Sequence, residues 1–120
     1  MSEHAHHQDV IDDLRPQHRD LRRAIPDVYR GFAELSKAAL APGAVDTALK
    51  ELVAVAIGVV DGCDGCIATH ARNAVKAGAT PEQAAEVIGV AIMMKGGPAT
   101  IYGARAYTAI VEFAEAQAAD

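Results

Sequence analysis

An all-α fold is predicted for this chain from three observations. Ala-rich patterns with helical spacing fill most of the 120 residues, Pro and Gly punctuate them at short intervals, and only one segment has the apolar, β-branched density of a sheet strand. The expectation is a compact bundle of about five to six helices, with a flexible N-terminal arm over residues 1–15 and a single helical domain over residues 16–120. A chain of this length buries roughly two-thirds of the surface its unfolded form exposes, so it needs no covalent staple.

The elements follow in order. Residues 1–15 carry His4, His6 and His7 among acidic residues and no apolar run, which reads as a mobile tail. Arg15, Arg19, Arg22 and Arg23 are interspersed with Asp20 and preceded by Asp12 and Asp13, the pattern of a solvated helix face. Pro26 suits the first turn of a helix running to about Leu40, with Val28, Phe32, Leu35 and Ala39 along one side. Ala41-Pro42-Gly43 ends it. Asp46 caps a helix from Thr47 to about Val60 that is apolar on nearly every side and so is expected to be buried. Asp61 and Gly62 form the turn into a helix that carries both cysteines and stops at Gly78. Thr80-Pro81-Glu82-Gln83 combines an N-cap, a proline at the first helical position and a Gln three residues after the cap, and opens a helix to Lys95. Gly96-Gly97-Pro98 breaks that helix, and the last runs from Pro98 towards Ala118. Leu52 to Val60 could instead be a parallel strand leading into a cysteine pair, but no other segment supplies a sheet for it to join.

Composition excludes several function classes. A net charge of -5 argues against nucleic acid, whose phosphates require a clustered basic patch. The uncharged stretch Leu52 to Val60 is less than half a membrane span. Met1 to Asp13 has no resemblance to a secretory signal, so the cytoplasm is the expected compartment. There, an isolated cysteine pair is more often catalytic or metal-binding than structural.

Cys63 and Cys66 are the two cysteines of the chain. As a staple they would gain little, about 2 kcal/mol in the chain-entropy account for so short a loop, against about 4 or more for a long one. On a helix, Cys63, Cys66 and His70 fall within roughly 60° of one another and share a face. Glu51 sits roughly 15 Å before the turn and His70 roughly 12 Å after it, so antiparallel pairing of the two helices brings them together. Alone, Glu51 reads as a surface carboxylate near a helix start; opposite a Cys-His face, a proton relay becomes an equal candidate. A helix N-terminus and an imidazole both lower a thiol's pKa, whereas Asp64 between the cysteines opposes a thiolate. The spacing leaves open which thiol attacks, since Cys63 lies nearer the free amides if Asp61 is the cap, and Cys66 lies nearer His70. A zinc site using Cys63, Cys66 and His70 with Glu51 has suitable ligand types, but three of them lie on one short helical face.

The string Glu51, Cys63, Cys66, His70 resembles the signature of the alkylhydroperoxidase D-like group within the carboxymuconolactone decarboxylase family. Gly62-Cys-Asp-Gly-Cys-Ile-Ala-Thr-His70, Ala77 to Gln83 and Gly96-Gly-Pro-Ala99 resemble it too. The resemblance covers residues 26–115 or so. It implies an all-α fold assembled into homotrimers or homohexamers, and a thiol-dependent peroxidase or disulfide oxidoreductase that needs no cofactor or metal. By this resemblance Cys66 is the peroxidatic thiol, Cys63 the resolving one, and His70 with Glu51 the proton relay. The implied partners are a hydroperoxide substrate and an external dithiol, carried by a lipoyl or thioredoxin-like protein. Gly65 departs from the pattern, since the best-known peroxidases of the group have a histidine between the cysteines. The alternatives are a decarboxylase-like lyase acting on a small acid, against which the cysteine pair weighs, and a zinc-binding or assembly module. Tyr102, Arg105 and Tyr107 are candidates for a pocket or an interface.

Overall fold

In the computed structural model, which describes residues 6–119, every element is a helix: α1 (His6–Ala24), α2 (Pro26–Leu40), α3 (Thr47–Asp61), α4 (Asp64–Lys76), α5 (Pro81–Lys95) and α6 (Pro98–Ala119). The start signals act as the sequence implies. The Asp46 carboxylate accepts from the Leu49 N–H at 2.8 Å, and Thr80 and Gln83 form a reciprocal capping box at 3.1 and 3.0 Å. These contacts satisfy amides that the first turn of a helix leaves without partners.

The α3–α4 hairpin positions the cysteines. Gly62 ends α3 with φ +65°, a left-handed conformation that side chains resist. The Gly62 and Cys63 N–H groups then close on the carbonyls of Val59 and Gly58. This sharp reversal lays α4 antiparallel against α3, and Gly58 permits the approach: a Cβ there would lie 3.3 Å from both Cys66 Cβ and Ile67 Cγ1. Val55, Val59, Ile67 and Ile110 are the largest side chains fully enclosed in the core. Around them Ala68, Ala71, Ala74, Ala84, Ala106 and Ala109 are almost wholly buried, so small side chains let α3, α4, α5 and α6 pack closely.

Two features differ from the sequence expectation. Residues 6–15, assigned to a flexible arm, belong to α1; residues 1–5, including His4, lie outside the described region. The reason is tertiary. Glu112 of α6 accepts from the His7 and Gln8 N–H groups at 3.1 and 3.0 Å, supplying a cap from the far end of the chain. His7 and Ile11 bury one side of the helix. Second, Cys63 is the N-cap of α4 and stands just outside the helix, whereas Cys66 lies within it.

The helix α2 buries no residue. Its apolar side, Val28, Phe32 and Leu35, is 62%, 65% and 63% exposed.

Candidate active site

Cys63 and Cys66 are bonded to each other across the first turn of α4, with Cα atoms 5.3 Å apart. The Cys63 sulfur also accepts from the Cys66 N–H at 3.2 Å, so the sulfur occupies the position of an N-capping oxygen. A developing negative charge on Cys63 would meet free amides and the positive end of the helix. Cys66 is the more exposed of the two, with His70 one turn further along α4.

Glu51 is only 4% exposed, and its Oε1 lies 2.6 Å from His70 Nδ1. The antiparallel hairpin thus joins two residues separated by 19 positions, and Glu51 is not the surface carboxylate that its place near a helix start would permit. A carboxylate only accepts, so the shared hydrogen sits on Nδ1, an arrangement that in a neutral imidazole leaves the lone pair on Nε2. His70 remains partly open, its side chain 30% exposed. A cysteine pair, an imidazole and a buried carboxylate thus follow one another along two helices, the residue types that a nucleophile, a base and its orienting group require.

The neighbours of the pair come from elements that the sequence left unconnected. Arg105 of α6 donates from Nη1 to both Asp64 carboxylate oxygens, at 3.3 and 3.1 Å. Its guanidinium lies over the Tyr102 ring, 5.3 Å from the centroid. The same ring abuts Gly62, where an added Cβ would come within 3.3 Å of two ring carbons. Tyr102 also lines a cavity of about 250 Å³, with Asp61 and Lys95 among its other walls. Tyr107 stands apart on the surface, 43% exposed. Leu14 of α1 covers the position between the cysteines: a Cβ on Gly65 would fall 2.9 Å from Leu14 Cδ1. No local signal could have announced this contact, because Leu14 lies in the segment expected to be a tail. Among the described residues no group of three or more His, Cys, Asp or Glu is arranged to hold a metal ion. None of the described helices is long and apolar enough to cross a membrane.

The model of the carboxymuconolactone decarboxylase family matches residues 26–109. The chain belongs to that family. An uncharacterized protein of Cupriavidus necator is 38% identical over 96 residues, covering 80% of this chain and 85% of its own. A carboxymuconolactone decarboxylase family protein of Legionella pneumophila superposes with a TM-score of 0.86 at 38% identity, over 90% of this chain and 96% of that one. A family protein of Thermotoga maritima, for which involvement in the antioxidative response has been suggested, superposes with a TM-score of 0.77 at 27% identity, over 91% and 92% of the two chains. The family match spans the cysteine pair, His70, Glu51 and Arg105, and leaves α1 outside it.

Proposed function

We propose that the chain is a thiol peroxidase and disulfide oxidoreductase that reduces alkyl hydroperoxides through Cys63 and Cys66, with His70 and Glu51 as its proton relay. The observation that carries this reading is the hydrogen bond from His70 to buried Glu51, one helical turn beyond a cysteine pair at a helix N-terminus. A carboxymuconolactone decarboxylase-like lyase acting on a small acid would have no use for that pair.

In the cycle, His70 takes the Cys66 proton, and the thiolate attacks one oxygen of the hydroperoxide. A sulfur–oxygen bond forms, the oxygen–oxygen bond breaks, and the departing alkoxide leaves as an alcohol with the proton from His70. The Cys63 thiol then attacks the Cys66 sulfenic acid; the disulfide forms and water departs. Two electrons from an external dithiol, on a lipoyl or thioredoxin-like protein, restore the pair. Glu51 keeps the imidazole in the tautomer that can accept at Nε2 and stabilises the imidazolium that follows. The reading requires a reducing compartment, the cytoplasm.

Peroxide consumption driven by dihydrolipoamide tests the proposal. Wild-type protein should turn over, and Cys66→Ser should lose essentially all activity. A fully active Cys66→Ser would refute the assignment.

A further inference from the structure

Asp64 lies between the cysteines, in the first turn of α4. A carboxylate there suits the helix dipole but stands beside any thiolate that forms, and like charges at close range disfavour each other. Arg105 answers it from α6, across 41 positions of sequence, with both carboxylate oxygens within hydrogen-bonding distance of Nη1. Tyr102 supports the guanidinium on one side and abuts the Gly62 turn on the other. The ion pair is too open to matter much for global stability, with side chains 49% and 37% exposed. Its anchor in the first turn of α4, between the two cysteines, gives it a different use.

We propose that Arg105 is a positioning residue for the cysteine pair: steadied by Tyr102, it neutralises Asp64 and so lets the α4 N-terminus and His70 stabilise a thiolate unopposed. The inference rests on the pair being redox-active. The other titratable groups around this turn are His70 on α4, with Glu51 of α3 behind it, His7 of α1, and Asp61 and Lys95, which line the cavity beside Gly62 and Tyr102. Buried His7 feels the charges of Glu112, Asp64, Arg105 and His6, but burial dominates and lowers its proton affinity. It carries no cation to Asp64 at neutral pH, and Arg105 is left to do so. Because the reduced pair holds the thiolate and the disulfide holds no charge, stabilising the thiolate also makes the pair more oxidising.

The test uses the full chain, with alkylation rate against pH for the reduced thiols and a midpoint potential from equilibration with a dithiothreitol redox buffer. In Arg105→Gln the pKa of the more acidic thiol should rise by about half to one unit. The midpoint potential should fall by up to about 30 mV, the equivalent of a tenfold change for a two-electron couple. Asp64→Asn should move both quantities the opposite way, Arg105→Lys should restore much of the wild-type value, and Asp64→Asn with Arg105→Gln should lie near wild type. Unchanged values in Arg105→Gln would overturn the inference, as would a double variant displaced from wild type as far as Arg105→Gln itself. Circular dichroism on each variant separates these effects from unfolding. If wild-type protein fails to consume peroxide while the shifts appear, the peroxidase reading falls and the electrostatic role of Arg105 stands.

Discussion

Gly65 is the position at which the chain departs from the pattern of the peroxidases it resembles, and Leu14 lies against it. With Leu14 Cδ1 2.9 Å from where a Cβ would sit, a side chain at 65 must displace the end of the Leu14 side chain. Gly65→Ala should therefore cost up to about 1 kcal/mol in urea unfolding, at the low end of the overpacking range because the leucine end can turn and alanine is the better helix former. Leu14→Ala in the same chain should recover part of the loss, and equal stability of single and double variants would show that the contact does not matter. Glu51 and His70 form the other residue-scale unit. Glu51→Gln should slow peroxide turnover at least about tenfold while leaving the helical circular dichroism intact, given the 10²- to 10⁴-fold that general acid–base groups contribute; unchanged turnover would remove Glu51 from the relay. This pair was legible in the sequence, because two helices joined by a tight turn fix which positions face each other. Gly65–Leu14 and Asp64–Arg105 were not, since each joins residues of elements that no short-range pattern relates.

Among the elements, α2, α3, α5 and α6 begin where Pro26, Asp46, Thr80 and Pro98 place them, because their start signals are local. The helix α1 has no such signal. Its first amides are capped by Glu112 of α6, 104 and 105 positions away, so the sequence reads as a tail until the fold is complete. Its anchor also depends on pH. His7 is buried, and desolvation holds its pKa below the ordinary histidine value of about 6.5. Unfolded chains thus bind this proton more readily than folded ones do, so stability is unaffected above about pH 6.5 and declines as pH falls below it towards the lowered native value. Urea unfolding of wild-type protein and His7→Gln at pH 7.5 and pH 5.5 should show the wild type losing more on acidification; parallel losses would contradict the role of His7. In α5 the capping box gives a local figure. Thr80→Ala should destabilise the chain by about 1 kcal/mol in the same assay.

At the scale of the whole molecule, the exposed apolar surface is concentrated on helix faces. Val28, Phe32 and Leu35 on α2, Val53 and Ile57 on α3, and Val90, Met93 and Met94 on α5 are between 46% and 74% exposed. A helix that buries nothing of its own chain gains little from an apolar side unless another surface covers it. We expect copies of the chain to associate as a homotrimer or homohexamer, with Phe32→Glu shifting sedimentation towards the monomer; a monomeric wild type would contradict this. The Ala-rich patterns announced helices, but which apolar faces stay uncovered depends on the docking of whole helices and emerges only in the folded chain. Function at this scale rests on one claim, that Cys66 meets the hydroperoxide while Cys63 and the His70–Glu51 pair complete its cycle. Reduced Cys63→Ser, which cannot close the disulfide, should be mixed with one equivalent of an alkyl hydroperoxide, trapped with dimedone and mapped by peptide mass spectrometry. The account predicts a dimedone adduct on Cys66 that is lost when His70 is replaced by Ala; an unmodified Cys66 after exposure to peroxide would contradict it.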